Sequence, residues 1–328
     1  MYMEGQSGPE TGKVVPRHVL LLSMLYAAPI LLPFLSGWLM GALAVPAAYV
    51  LTTEGEKKGW TLLALVLIIV GAISLLTGRL LVFLSLLPLI PLGYSLYESN
   101  RRMDSPAEAG GRGVLFFSLS WIAFWLLYGL LSGTNPYQQL VQVIDAGFVA
   151  AGELYQQNSE LNMEMQLELA EVITGLRNLI PHILPGILFS TVLVIVWMNL
   201  ALFSRVLAKT LPGHWNWPPY REWKLPDHLV WLPIGAALCY LAGSGSLHDL
   251  GLNGLIVGGV LYFFQGLAVF LHILDRWKVP RYLRIFFYLL LVLQSYGLVV
   301  LSLLGLADIW LPLRPFSGPQ EKKDNMAT

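Results

Sequence analysis

Long apolar runs constrain the fold of this chain more than any other feature. Several of them reach or exceed the length of about 20 residues that a helix needs to cross the hydrocarbon core of a bilayer. Hydrophobic residues make up 56% of the chain and charged residues 12%, which is about half the charged share of a soluble domain. Because backbone groups in lipid must be satisfied within the segment, these runs predict an all-α, polytopic transmembrane helix bundle.

The number of spans depends on the first apolar run, which extends from His18 to Thr52 and is too long for one ordinary span. Pro29, Pro33, Ser36 and Gly37 interrupt it, so we predict a tight hairpin and about nine spans in all. The alternative is one tilted span, which gives eight helices and an outside N-terminus. The nine predicted helices cover, in chain order, 18–34, 36–52, 60–77, 80–97, 114–132, 182–204, 228–243, 251–273 and 285–307.

The distribution of positive charge sets the predicted orientation. With a cytoplasmic N-terminus, fifteen of the twenty Lys and Arg residues fall on the inner side, as the positive-inside rule requires. The outer segments then hold only Arg79, Arg177, Arg314, Lys322 and Lys323. The predicted location is the bacterial cytoplasmic (inner) membrane.

The predicted organisation has five parts. They are a cytoplasmic N-terminal tail at 1–17, a five-helix membrane region at 18–132, an extracytoplasmic amphipathic helical segment at 133–181, a four-helix membrane region at 182–308 and a polar C-terminal tail at 309–328.

The outer segment 133–181 is rich in acids and carries apolar residues at helical spacing. It predicts two amphipathic helices, at about 136–157 and 160–179, with Asn158-Ser159 capping the second. One interpretation is a lid over an outward-facing cavity. The other is an ordered loop on the surface of the bundle or the membrane, since long loops are usually functional or disordered.

Neutral polar residues inside the predicted spans are candidates for a substrate cavity. Asn199 lies late in the sixth helix, Gln265 in the middle of the eighth and Gln294 in the middle of the ninth. Such residues are costly in lipid and face the bundle interior. Their other role is a hydrogen bond between helices, which is worth less than about 1 kcal/mol in most cases.

Small residues four positions apart indicate close helix packing. The stripes serve either internal packing or the docking of a partner subunit. The residues concerned are Gly37, Gly41, Ala44 and Ala48 in the second helix, and Gly254 and Gly258 in the eighth.

The sequence offers little for catalysis. It has no P-loop, HExxH, GxSxG or Rossmann fingerprint, and no nucleic-acid-binding motif. The histidines lack the spacing of a helical metal site; His182 and His248, with Asp249 nearby, form the one conceivable two-histidine site. The chain is therefore expected to be no enzyme and to need no cofactor.

The second half resembles a bacterial family of predicted membrane proteins, the YybS type, whose activity is not assigned. The likeness covers about 180–314 in motif and most of the chain in topology. It rests on Asn199 with Arg205, Trp223-Lys224-Leu225-Pro226 before Val230-Trp231, Tyr262 with Gln265-Gly266-Leu267-Ala268, and Gly305-Leu306-Ala307-Asp308-Ile309-Trp310 with Arg314.

The chain also looks distantly similar to the substrate-capturing membrane subunits of energy-coupling-factor vitamin transporters. That resemblance implies a small-molecule ligand bound near the outer face and partner membrane and ATPase subunits. Those subunits usually have about six helices, which departs from nine.

Two functions remain as hypotheses, both for a chain that lies in the lipid bilayer. The first is a small-molecule binding or transport component that acts with partner subunits and has its cavity at Asn199, Gln265 and Gln294. The alternative is a non-catalytic membrane scaffold in envelope growth or membrane organisation, which predicts a dry and tightly packed bundle.

Overall fold

The computed structural model describes residues 16–156, 162–211, 217–293, 296–311 and 313–314. These residues form helices and connecting turns without a β-strand, which confirms the predicted all-α class. The chain divides into two compact units. Unit 1 comprises Met1–Tyr137 and Ile195–Trp217, and unit 2 comprises Gln138–Val194 and Pro218–Thr328. The five predicted sequence ranges stay predictions.

Within the described residues, five helices are long and apolar enough to cross a membrane, or six if one bent pair counts as a span. The predicted number of nine is not confirmed, because several of the predicted helices are short or interrupted. The five candidate spans are Glu56–Leu76, Leu80–Arg101, Pro106–Ser132, Met163–Thr210 and Ser246–Arg276.

Unit 1 begins with three short helices, α1 (Pro16–Leu31), α2 (Pro33–Met40) and α3 (Ala44–Glu54). The chain reverses between α1 and α3. The evidence is that Nδ1 of His18, near the start of α1, lies 3.3 Å from a carboxylate oxygen of Glu54, at the end of α3. The predicted hairpin therefore describes this region better than one tilted span does.

Of the remaining helices of unit 1, the first three pack against this hairpin and the last packs against the third. In chain order they are α4 (Glu56–Leu76), α5 (Leu80–Leu86), α6 (Leu89–Arg101) and α7 (Pro106–Ser132). The closest packing is between α3 and α6. A Cβ atom on Gly93 would lie 2.7 Å from Cβ of Ala47 and 2.8 Å from the carbonyl oxygen of Ala44, so glycine permits the contact.

Two long helices connect the units along the chain. The helix α8 (Pro136–Gln156) precedes α9 (Met163–Thr210), which has 48 residues. At 1.5 Å per residue α9 is about 72 Å long, more than twice the thickness of a bilayer core. The structure thus has helices where the sequence predicts an amphipathic pair, but the second is continuous with the predicted sixth span. Asn158 and Ser159 lie outside the described residues.

In unit 2 the helix α10 (Trp231–Ala242) packs against α11 (Ser246–Arg276). Glycines make this contact close. A Cβ on Gly254 would lie 2.8 Å from Cβ of Ala236. With 12 residues, α10 is shorter than the predicted seventh span.

The last two helices, α12 (Arg281–Leu293) and α13 (Tyr296–Ala307), are bent by 107° relative to each other. The helix α12 runs antiparallel to α11, since Arg284 pairs with Asp275 and the Phe287 ring packs on Phe270.

In contrast, α13 runs parallel to α11. The Ser302 hydroxyl donates to the carbonyl of Gly259 at 2.8 Å, and six residues further along each helix Gln265 meets Asp308 at 3.1 Å. The predicted ninth span is thus a pair of helices with a bend of 107° between them, and its crossing of the membrane as one span is not confirmed. The start of α12 and the end of α13 both contact the C-terminal half of α11.

Candidate functional site

Asn199 supports an interrupted helix in unit 1. Its side chain is completely buried, and its Nδ2 donates to the carbonyl oxygens of Gly41 at 2.5 Å and Ile195 at 2.8 Å. Gly41 lies in the turn between α2 and α3, where carbonyl groups lack regular helical partners. The Oδ1 of Asn199 is buried and has no hydrogen-bond partner among the described residues.

Gln265 has the corresponding role in unit 2. It is 3% exposed, and its Nε2 donates to the carbonyl of Gly305 and the carboxylate of Asp308, each at 3.1 Å. Its Oε1 accepts from the backbone N–H of Leu225 at 3.1 Å. The side chain therefore holds the end of α13 and the segment before α10 against α11.

The carboxylate of Asp308 leads to a network of ion pairs in unit 2. Arg314 bonds that carboxylate at 2.5 Å and also donates to the carbonyl of Trp223 at 2.7 Å. The side chains of Asp308 and Arg314 are 3% and 11% exposed. A buried pair of this kind is strongly destabilised if one partner is removed, because the other charge stays in a dry site.

A second carboxylate, Asp275, extends the network at the C-terminal end of α11. It bonds Arg221 at 2.6 Å and also pairs with Arg284. The hydrogen bond to Asp275 raises the pKa of Arg221 above its ordinary value, so the guanidinium stays charged. We name Gln265, Asp308, Arg314, Arg221, Asp275 and Arg284 together the unit 2 polar network.

This network corrects one sequence prediction. The sequence places Asp308 and Arg314 at the outer end of the ninth span and Arg221 on the inner side. The structure joins Arg314 to the carbonyl of Arg221 at 3.2 Å, so the two arginines share one side. The physical reason is that α13 runs parallel to α11, so its C-terminal end lies beside the segment that precedes α10.

The predicted cavity residues do not form one described site. Asn199 belongs to unit 1 and Gln265 to unit 2, and Gln294 lies outside the described residues. The cavity that joins all three therefore stays a prediction.

The predicted small-residue positions have different surroundings. A Cβ on Gly37 would meet nothing within 4 Å. Ala44 and Ala48 are completely buried, Gly41 lies in the α2–α3 turn, and Gly254 and Gly258 pack against α10.

The cleft between α8 and the first part of α9 has a volume of about 210 Å³. Arg177, one of the lining residues, forms a bidentate pair with Asp145 at 2.6 and 3.1 Å. The hydrogen bond from Arg177 lowers the pKa of Asp145. The lining residues are Phe148, Val149, Gly152, Glu153, Tyr155, Gln166, Leu169, Ala170, Ile173, Thr174 and Arg177.

The sequence indicates a candidate two-histidine site at His182 and His248, and the structure brings both residues close to Asp249. Nδ1 of His182 lies 2.8 Å from one Asp249 oxygen, and Nδ1 of His248 lies 3.7 Å from the other. Over the described part of the chain, no group of three or more His, Cys, Asp or Glu residues could hold a metal ion.

Sequence reasoning missed Asn253, which lies next to this cluster. Its Nδ2 donates to the carbonyl of His182 at 2.7 Å, and its Oδ1 accepts from the N–H of Gly186 at 2.5 Å. These two backbone groups are i→i+4 partners in a regular helix. Pro181 and Pro185 in α9 are the sequence signal, because prolines weaken the local hydrogen-bond ladder.

The apolar spans and the internally paired polar residues define a polytopic α-helical membrane protein. The chain belongs to the family described as "Predicted membrane protein (DUF2232)", which matches residues 20–309. It is 23% identical to "Uncharacterized protein YybS" of Bacillus subtilis (strain 168) over 309 residues, which cover 90% of this chain and 94% of that protein. No solved structure matches.

These comparisons confirm the predicted resemblance to YybS-type proteins. The similarity to energy-coupling-factor transporter subunits is not shown and stays a prediction.

Proposed function

We propose that this chain is a small-molecule binding or transport component of the bacterial cytoplasmic membrane that acts with partner subunits. The observation that carries the proposal is the presence in each unit of short, interrupted helices whose backbone is held by a side-chain amide of a long helix. In unit 1 the amide is Asn199, and in unit 2 it is Gln265.

Interrupted helices have a recognised use in membrane proteins. Non-helical backbone at membrane depth is tolerated only where it is buried in protein or lines a water-filled cavity. In many transporters such discontinuous helices build the binding site. The buried, unpartnered Oδ1 of Asn199 is a suitable acceptor for a ligand that enters there. Because the sequence has no ATP-binding motif, the energy for transport would come from a partner.

The cleft between α8 and α9 is the candidate site for first capture of the ligand. Its walls combine aromatic and aliphatic side chains with the polar groups of Glu153, Thr174 and Arg177, a combination typical of small-molecule sites. Its volume of about 210 Å³ is below the range of about 300–1,000 Å³ for drug-sized ligands. The cleft therefore fits a small metabolite.

The test is mass spectrometry of small molecules retained by the full chain after gentle purification from its native membrane. We expect one metabolite at near-stoichiometric amount, its loss in a Glu153→Gln/Thr174→Val variant, and its retention in a Glu168→Gln variant. Glu168 is exposed on α9 and does not line the cleft. Equal retention in all three proteins would refute the cleft as the site, and the absence of any metabolite would refute the binding role.

The alternative proposal is a non-catalytic scaffold in envelope growth or membrane organisation, and α7 favours it. Only 6% of the most apolar 18-residue stretch of α7 is buried, whereas 33–44% of the corresponding stretch is buried in each of the other four candidate spans. Trp121, Trp125 and Tyr128 form a row of ring contacts along this helix. A stable protein complex that is lost when Trp125 and Leu126 are replaced by Ala, with no metabolite retained, would favour the scaffold.

A further inference from the structure

The turn between α11 and α12 is held in one conformation by hydrogen bonds within the chain. The N–H of Val279 donates to the carbonyl of Leu274 at 3.0 Å. Lys278 has a left-handed φ of 50°, as is common after the end of a helix. Arg284 donates from its Nε to the carbonyl of Val279 at 2.8 Å. The turn therefore presents its side chains in a fixed arrangement.

Three cations on this turn are free to bind an anion. Arg276, Lys278 and Arg281 are exposed, and within the described chain none of them has an ion-pair partner. The carboxylate next to them, Asp275, is already paired with Arg221 and Arg284. The net charge of the exposed surface is therefore positive.

Two exposed aromatic side chains lie next to these cations in the sequence. Trp277 is 73% exposed and Tyr282 is 74% exposed. Trp and Tyr concentrate at membrane–water interfaces, where the apolar part of the ring contacts acyl chains and the polar atom contacts headgroups or water. The turn thus has the composition of a surface that lies at headgroup level.

The helix that follows the turn has the same character. It has 13 residues, so it is about 20 Å long and too short to cross a core of about 30 Å. Arg281, Arg284 and Tyr288 lie on one face at i, i+3 and i+7, while Phe286 and Leu290 lie on the opposite face. The first turn contains no acid. Short amphipathic helices with basic polar faces bind at the surface of anionic membranes.

We propose that the turn at 276–282 is a binding site for the headgroup phosphate of an anionic phospholipid. Arg276, Lys278 and Arg281 bind the phosphate, and the rings of Trp277 and Tyr282 contact the glycerol and upper acyl region. This site is independent of the proposed ligand cleft and of any transport role.

The test is native mass spectrometry of the full chain in detergent with a fixed amount of phosphatidylglycerol or phosphatidylcholine. An exposed cation close to an anionic surface changes affinity by about fivefold. The Arg276→Gln/Lys278→Gln/Arg281→Gln variant should therefore bind phosphatidylglycerol on the order of 100-fold more weakly. Its binding of phosphatidylcholine should be unchanged.

The matched control is Lys57→Gln/Arg205→Gln/Lys209→Gln, which removes three exposed charges elsewhere and should keep the wild-type affinity. Equal loss in both variants would mean that only net charge matters and would overturn the site. So would unchanged binding in the first variant.

A measurement on the wild-type protein covers the case in which the first variant does not fold. Raising the salt concentration from about 0.1 M to about 1 M shortens the Debye length from about 10 Å to about 3 Å. Phosphatidylglycerol should be released over this range while phosphatidylcholine stays bound. Salt-independent retention of phosphatidylglycerol would overturn the proposal.

Discussion

Units 1 and 2 both contain short apolar helices whose backbone is bonded by a buried side-chain amide, but the groups around the two amides differ in charge. In each unit the amide comes from a long helix: Asn199 bonds the α2–α3 turn, and Gln265 bonds the last turn of α13. Asn199 in unit 1 bonds only neutral carbonyl groups, whereas Gln265 in unit 2 also bonds the carboxylate of Asp308, which is paired with Arg314. A buried neutral amide costs less than a buried charge, which is strongly destabilising unless it is paired.

The comparison indicates where each unit is vulnerable. Unit 2 should tolerate loss of a hydrogen bond better than loss of a charge. In unit 1 the close packing of α3 on Gly93 also holds the hairpin, so we expect loss of the Asn199 amide to cost less than loss of a charge in unit 2.

The largest expected effect is that of Asp308→Ala. It leaves the guanidinium of Arg314 buried without its carboxylate, which should cost about 3–5 kcal/mol of unfolding free energy. Thermal unfolding of the purified protein in detergent measures it. The control is Asp227→Ala, which breaks the exposed pair with Lys224 and should cost less than about 1 kcal/mol. Similar losses of unfolding free energy in both variants would contradict the expectation that the buried ion pair contributes more to stability than the exposed one.

The next effect concerns close backbone packing in unit 2. Gly305 lies against the carbonyl of Tyr262, so Gly305→Ala should force α13 away from α11 and cost about 1–3 kcal/mol. The same substitution at Gly37 in unit 1, where a Cβ meets nothing within 4 Å, should leave the unfolding temperature unchanged or slightly raised. A neutral result at Gly305 would contradict the close contact of the two helices.

A direct comparison of the two amides comes third. Gln265→Met should cost about 1–3 kcal/mol, because it leaves a carbonyl and an N–H unpaired and weakens the contact to Asp308. Asn199→Leu should cost about 1 kcal/mol, the usual scale of a hydrogen bond between membrane helices. Unfolding in a denaturing detergent, measured for both variants, ranks them. A larger loss of stability for Asn199→Leu than for Gln265→Met would contradict the expectation that unit 2 depends more on its buried amide than unit 1 does.

The smallest expected effect is the pH dependence of the α8–α9 pair. The pKa of Asp145 is lowered in the folded protein by Arg177, so this contact stabilises the pair above the unfolded pKa of about 4. The stabilisation is lost as the pH falls through the folded pKa. Spin labels at Gly147→Cys and Gly175→Cys, with Cys239→Ser, should report a wider distance distribution at pH 3 than at pH 6. With Arg177→Gln added, this change should vanish; its persistence would assign the opening to another group.

Part of the candidate site could be predicted from the sequence. Asn199 and Gln265 stand out because polar residues in apolar runs need partners, and both are buried and hydrogen-bonded in the structure. The sequence also indicates the cluster of His182, His248 and Asp249, which the structure brings together. Asn253 was missed, since nothing in its own helix indicates that it bonds the backbone of α9.

The membrane class and the helical fold follow from the sequence alone, because a bilayer of fixed thickness demands apolar helices of a certain length. The reversal within 18–52 was also predictable, since prolines and glycine interrupt a run too long for one span.

Tertiary contacts decided the rest. Three features depend on bonds between residues far apart in the chain. They are the continuity of α9 through Pro181 and Pro185, the bend between α12 and α13, and the contact of Arg314 with the segment before α10. Asn253 bonds the backbone of α9, and Gln265 bonds Asp308 and Gly305. Local hydropathy carries no information on such pairs, because it measures how well each segment suits lipid and not which polar groups meet inside the bundle.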